Sequence, residues 1–336
     1  MKIQINNYLL FLLFHRNSIE LVQGYNLSTV FRLPVKTMAC AKAGAPAIRA
    51  VLLDLSGTVH IGDQVIPGAQ EACQKLVLEN IKIKFLTNTT KSSRDELLEQ
   101  LWKMGFPKDT VNSDNLVTNS QAAKQTIQYH NLRPYCLIQA SLLEDLKLPQ
   151  LIPEVASGAS CEFFNSVLVG LAPEAFYYER LNQAFRVLMK EKERRKVIPE
   201  MDKANAPPLI IALHRGKYLR DTDGGLSLGP GGFVACLQEA AGIDDKDIVV
   251  MGKPSQDFFH AAIPDGISPS ETAMIGDDVR QDIIGAKRAG LGMGILVRTG
   301  KYQAGDESVE EGRCAPDAVT NSLVEAVDYI LKTKLN

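Results

Sequence analysis

From residue 47 onward, short apolar runs alternate with longer amphipathic ones. AIRAVLLD, IKIKFLTN, DIVVMGKP, TAMIGDD and GMGILVRTG read as strands, and each gives way to polar residues at its end. Between them, PGAQEACQKLVLEN sets a proline near a helix start and spaces its apolar residues as a helix does. SRDELLEQLWKMG opens with Ser93 and Glu96 at capping-box spacing and closes on Gly105. RQDIIGAKRAG predicts a helix that ends at Gly290. This alternation predicts an α/β fold, a parallel sheet covered by helices on both faces. Ligands of such sheets sit beyond the carboxyl ends of the strands, which is where the polar residues fall.

The middle of the chain has strands of its own (YCLIQ, SVLVGL, PLIIAL) and a helix (YERLNQAFRVLM), and it interrupts the first pattern until about Val249. It reads as an inserted second α/β domain lying over the active edge. The expected division is an extension over residues 1–46, core over 47–115, cap over 116–230 and core again over 231–336. Within the cap, KEKERRKVIPEMDKANAPP (residues 190–208) is charge-dense and ends in Pro-Pro, so it is expected to be an exposed, mobile loop, with a basic recognition patch as the alternative.

Composition changes this picture little. The 336 residues are 45% hydrophobic and 23% charged with a formal net charge of −2, so neither nucleic acid nor an anionic membrane is implied as a partner. Six cysteines are scattered without a CxxC or Cys/His cluster, which argues against a zinc site or a disulfide framework and for reduced thiols in the cytoplasm. YLLFLLF (residues 8–14) is too short to span a bilayer. The first 37 residues carry Lys2, Arg16, Arg32 and Lys36 against Glu20 alone. They read as a non-structural extension, with mitochondrial or other targeting as one alternative and a start at Met38 as another.

Four strand ends carry candidate chemistry. AVLLDLSGTVH (residues 50–60) ends its apolar run in Asp54 and turns at once. Either Asp54 caps a turn, or it is a nucleophile that attacks phosphorus; a carboxylate approaching a phosphate dianion then needs a divalent cation between them. GDDVRQD (residues 276–282) adds three carboxylates without basic partners, which a cation would reconcile. Asp277 reads as a metal ligand, Asp278 as one acting through water and Asp282 as a support for the loop. FLTNTT places Thr87 and Asn88 where they could hold the outer oxygens of a phosphate. VMGKPS places Lys253 where it could offset phosphate charge and orient the attacking carboxylate. DGGLSLGPGG (residues 223–232) is neither a P-loop nor a dinucleotide fingerprint and reads as a domain-connecting loop. His60 reads as a packing or surface residue, and Phe163, Phe164, Tyr177 and Tyr178 as core, with a substrate platform facing the cleft as the alternative.

DLSGT, TN, GKP and GDD, in this order and spacing, resemble the four motifs of the haloacid dehalogenase-like hydrolase superfamily from about residue 47 to 334, in the branch with a type-two cap. The resemblance implies a Rossmann-like core, magnesium dependence and an aspartyl-phosphate intermediate. It implies Asp54 as nucleophile and metal ligand, the Ser56 backbone carbonyl and Asp277 as further metal ligands, Thr87 and Asn88 at the phosphoryl group, and Lys253 as the motif lysine. Homodimers paired through the cap are also implied. The superfamily's usual second aspartate, two residues after the nucleophile, is here Ser56, a poor acid and base near neutral pH. General acid–base catalysis is typically worth ~10²–10⁴ in rate, so the expected substrates are small phosphorylated molecules with good leaving groups: aryl phosphates, pyrophosphate, or phosphoramidates such as phosphohistidine and phospholysine. The competing class is a catalytically weak phosphate-binding regulator or scaffold. A redox enzyme on a nucleotide-binding fold is disfavoured by the missing glycine fingerprint.

Overall fold

A computed structural model describes residues 47–90, 92–147, 161–197, 206–220, 225–309 and 314–334. The expected N-terminal extension therefore lies outside the described residues. The chain begins with β1 (Ala50–Asp54), the hairpin β2 (His60–Ile61) and β3 (Gln64–Val65), α1 (Ala69–Leu78), β4 (Lys82–Thr87), α2 (Arg94–Lys103) and β5 (Leu116–Thr118). It continues through α3 (Asn119–Tyr129), β6 (Pro134–Leu137), α4 (Ala140–Leu146), β7 (Ser166–Val169), α5 (Tyr178–Arg195) and β8 (Ile210–Ala212). A hairpin of β9 (Tyr218–Arg220) and β10 (Leu226–Leu228) leads to α6 (Pro230–Ala241) and β11 (Ile248–Val250). The last stretch holds α7 (Gln256–Ala262), β12 (Thr272–Gly276), a π-helical turn (Val279–Ile284) running into α8 (Gly285–Arg288), β13 (Met293–Val297), β14 (Ala318–Thr320) and α9 (Leu323–Lys334).

Six strands form one parallel sheet in the order β14-β13-β12-β1-β4-β5. β1 lies inside it and is buried at every position, as its unbroken apolar run requires. Its alternate residues feed two cores. Val51 and Leu53 pack with Leu76, Leu97 and Val327 from α1, α2 and α9, while Leu52 packs with Phe258, Phe259 and Ala286 from α7 and α8. Full burial of one such side chain contributes about 1.5–3 kcal/mol. The helix-covered, two-faced parallel sheet is the core architecture that the alternating pattern predicts.

A second parallel sheet runs β11-β8-β7-β6. Ala184, Val187, Val234 and Leu237 of α5 and α6 cover one side, and Ala123, Ile127, Leu142 and Leu146 of α3 and α4 the other. Among the described residues no helix is long and apolar enough to cross a membrane.

This layer corrects several expectations. β5 pairs with β4 in the first sheet, although residue 116 was placed at the start of the cap. α6 and β11 belong to the second layer, although residues 231–250 were assigned to the core. A three-residue apolar strand fits a parallel sheet of either layer, so its pattern says that it is buried but not where. Lys190 to Arg195 are the end of α5 rather than loop, because apolar residues of this helix continue its buried face towards them; residues 198–205 lie outside the described residues. The described part of DGGLSLGPGG is strand β10 and the first turn of α6, so it is not a plain connecting loop. Phe164 is buried, whereas Tyr177 and Tyr178 are exposed at the start of α5.

Candidate active site

Strand register sets the position of the first carboxylate. Asp54 at the end of β1 pairs with Leu86, so Thr87 lies one residue beyond it on β4. Asp277 follows β12, the other neighbour of β1. Three of the predicted residues thus meet at one edge of one sheet. Lys253 arrives differently, three residues after β11 of the second sheet, and corrects the expectation of four strand ends in a single sheet.

The Lys253 ammonium is buried, ion-paired with Asp54 Oδ1 and 2.7 Å from Asp282 Oδ1. Burial alone would lower its pKa, but the facing carboxylates of Asp282 and Asp54 outweigh this and raise it, so the lysine is held charged. The side chain of Asn88 fixes its backbone from both sides. Its Nδ2 donates to the Lys253 carbonyl at 2.8 Å, and its Oδ1 accepts from the Lys253 N–H at 2.9 Å. The same Nδ2 donates to Gln281 Oε1 at 2.9 Å. Asn88 therefore spends its side chain on positioning the lysine, a role its strand-end position did not suggest. Thr87 is buried, and its Oγ1 accepts from the Thr89 N–H at 3.1 Å. Thr58, inside the motif but not singled out from sequence, donates to Asp54 Oδ2 at 3.4 Å.

Asp277 is sandwiched between two glycine backbones. A Cβ on either Gly57 or Gly300 would come within 2.0 Å of its Oδ2, and both glycines have positive φ, +99° and +53°. That oxygen accepts from the Lys301 N–H at 2.6 Å. The buried Oδ1 of Asp277 has no hydrogen-bond donor. Burial first, then the negative charges of Asp54 and Asp282, push Asp277 well above the usual carboxylate range. Asp282 is raised to about 7, again chiefly by burial, although Lys253 pulls the other way. One oxygen each of Asp54, Asp277 and Asp282 lies within 4.8 Å of the others, all three buried. Buried carboxylates this close, one with an oxygen lacking any donor, suit a hard divalent cation, so the residues fit the metal the motifs imply.

Asp278 is tied to the loop backbone through one of its oxygens. Its Oδ1 accepts from the N–H groups of Arg280 and Gln281 and caps the π-helical turn. Asp282 does support the loop, accepting from the Asp278 N–H at 3.1 Å, and it also joins the carboxylate cluster. Ser56 is exposed. His60 is a buried packing residue whose Nδ1 lies 2.8 Å from the Gly62 carbonyl. Lys301 was not foreseen: it follows β13 by four residues in a turn with no motif of its own.

A buried acid–lysine pair at the carboxyl edge of a parallel sheet, with a second α/β layer supplying the lysine, defines a two-layer α/β protein with a site built for chemistry on a charged group. A haloacid dehalogenase-like hydrolase model matches residues 51–149, and a HAD-hydrolase-like model matches residues 250–326. The chain belongs to the haloacid dehalogenase-like hydrolase family and is an enzyme of its phosphatase kind. It is 41% identical over 287 residues to haloacid dehalogenase-like hydrolase domain-containing protein 2 of Bos taurus, covering 85% of this chain and 97% of that one. It is 33% identical over 298 residues to the phospholysine phosphohistidine inorganic pyrophosphate phosphatase of Xenopus laevis, covering 87% and 98%. The solved 4-nitrophenylphosphatase of Thermotoga maritima shares the fold at a TM-score of 0.67 and 24% identity, over 84% of this chain and 97% of that one.

Proposed function

We propose that this protein is a magnesium-dependent phosphatase that works through an aspartyl-phosphate at Asp54 and prefers substrates with good leaving groups. The observation that carries the reading is the convergence of Asp54, Lys253, Asp277 and Asp282 in one buried cluster. Asp54 and Asp277, with the Ser56 carbonyl, are the groups that would hold the ion. When bound, magnesium supplies positive charge that offsets repulsion between carboxylate and phosphate. The similarity to a phosphatase named for phospholysine, phosphohistidine and pyrophosphate supports this substrate range.

In the first step, Asp54 forms a bond to phosphorus while the bond to the leaving group breaks, its electron pair departing with that group. Lys253 pairs with Asp54 and aims it, and Thr87 holds an outer phosphoryl oxygen. Water then attacks phosphorus, the bond to Asp54 breaks with its electron pair returning to the carboxylate, and the released phosphate carries the two protons of the water. Ser56 contributes no acid to the first step and no base to the second, which favours leaving groups that depart unprotonated. The Asp54–Lys253 pair argues against a mere scaffold, since phosphate binding alone needs no buried carboxylate facing the ligand.

The test is turnover of p-nitrophenyl phosphate, pyrophosphate and glycerol phosphate with and without magnesium, beside an Asp54→Asn control. Activity on the first two that vanishes without the metal and in the control is expected. Faster glycerol phosphate hydrolysis contradicts the leaving-group preference. Ser56→Asp should gain most on glycerol phosphate, up to about 100-fold or more if a full acid–base role is restored.

A further inference from the structure

The π-helical turn after β12 reaches Lys253 at two points. Asp282 Oδ1 lies 2.7 Å from the ammonium. Gln281 Oε1 accepts from Asn88 Nδ2 at 2.9 Å, and Asn88 in turn pairs with both backbone groups of Lys253. Adjacent residues of one turn therefore hold the same lysine, Asp282 at its charge and Gln281, through the Asn88 amide, at its backbone. Such turns are rare and concentrate at functional sites. This one is itself fixed. Asp278 Oδ1 accepts from the Gln281 N–H at 3.0 Å, and the Asp278 N–H donates to Asp282 Oδ2 at 3.1 Å.

The lysine needs this hold because it comes from the other layer. Lys253 follows β11 of the second sheet, whereas Asp54, Asn88 and Gln281 follow or end strands of the first. A third carboxamide closes the seam. Asn119, fully buried at the start of α3, donates from Nδ2 to the Asn88 carbonyl and to the Leu213 carbonyl, each at 3.3 Å. Leu213 follows β8, the neighbour of β11. The backbone of Asn88 is thus tied to the second layer and its side chain to the π turn. The fit leaves no slack: a Cβ on Gly252 would run into Asn88 Oδ1 and come within 2.8 Å of the Leu213 carbonyl oxygen. An amide has two N–H donors on one end and acceptor lone pairs on the other. Turned end for end, Asn88 would set Oδ1 against the Lys253 carbonyl and Gln281 Oε1, and Nδ2 against the Lys253 N–H.

We infer that Gln281 is a positioning residue: through the Asn88 amide it sets where Lys253 of the second layer stands against Asp54 of the first. This rests on the phosphatase reading and adds to it a residue that the motif resemblance does not assign. Without the Gln281 acceptor, one Nδ2 proton of Asn88 loses its partner, and the π turn keeps Lys253 only by its ammonium. The lysine backbone can then shift while the ion pair persists, so the carboxylate is aimed less well. Gln281 itself contacts neither the carboxylate of Asp54 nor that of Asp277, so its loss should fall on the chemical step.

Gln281→Met keeps the length of the side chain and removes the acceptor, whereas Gln281→Glu keeps an acceptor. On p-nitrophenyl phosphate with magnesium, Met should lower kcat about 10-fold, the effect of one hydrogen bond, with KM within about twofold, and Glu should stay within about threefold of the wild type. Because Gln281 acts through Asn88, Gln281→Met should cost nothing further in an Asn88→Ala background. Wild-type kcat in Met, a Glu variant as slow as Met, or losses that multiply across the two sites overturn the inference. Amide hydrogen exchange followed by NMR reads the same clasp without turnover. The Lys253 N–H should exchange about 10-fold faster in Gln281→Met and at the wild-type rate in Gln281→Glu; unchanged exchange in Met overturns the inference as well. If the wild type hydrolyses no phosphate ester while exchange responds as expected, the phosphatase reading falls and the clasp stands.

Discussion

Gly57 has no room for a methyl group. A Cβ there meets the Asp277 carboxylate, and φ of +99° strains any side chain by about 1–2 kcal/mol besides. Gly57→Ala must displace Asp277 or the turn that carries Gly57, and a displacement near 1 Å at a reacting centre can cost about 100-fold. We expect Gly57→Ala to lose about that much kcat on p-nitrophenyl phosphate while remaining folded by circular dichroism. Retained activity would show that the carboxylate has slack. At this scale much was legible. Asp54, Thr87, Lys253 and Asp277 stand out because each ends an apolar run, and the structure brings all four to one place. Asn88 was legible as a site residue but not as a clasp, since one sequence does not show which backbone its amide meets. Lys301 was invisible because only the β12–β13 pairing and the turn after β13 carry it to Asp277.

Local rules name elements more securely than they place them. The capping box expected at Ser93 and Glu96 forms: Ser93 Oγ accepts from the Glu96 N–H at 3.2 Å, and Glu96 Oε2 accepts from the Ser93 N–H at 2.7 Å. Asp145 of α4 takes the next N–H, that of Arg94, at 2.9 Å and so ties the second layer to the start of α2. Ser93→Ala should lower stability by about 1 kcal/mol, read as a shift of the urea midpoint at unchanged slope. A loss near zero would mean that Asp145 alone suffices to cap the helix. β11 shows the opposite limit. Its apolar residues were recognised as a strand, but sheet membership depends on pairing with β8, nearly 40 residues away, which no local pattern encodes.

Across the whole molecule, the carboxylate cluster couples stability to pH and to metal. Asp277 and Asp282 hold protons more tightly in the folded chain than in the unfolded one. Their contribution is fully present below about pH 4, the ordinary carboxylate value, and drains away as the pH rises through about 7, the folded value of Asp282. The metal-free protein should therefore lose stability from this cluster between pH 5 and pH 8, where a bound cation should restore most. Magnesium at about 100 times its Kd should add about 2.7 kcal/mol, a rise in Tm of roughly 5–10 °C. Differential scanning fluorimetry should find that rise larger at pH 8 than at pH 5; an equal rise at both would mean that the cluster is already ionised without metal. The placement of β11 also bears on how the two layers can be recombined. Exchanging the upper layer for that of a relative by splicing at residues 116 and 230 would strand α6 and β11 with the wrong parent and leave β5 without its own. Junctions after residue 118 and just before Gly252 keep each sheet whole, and the graft then brings its own rail leading to the recipient's lysine.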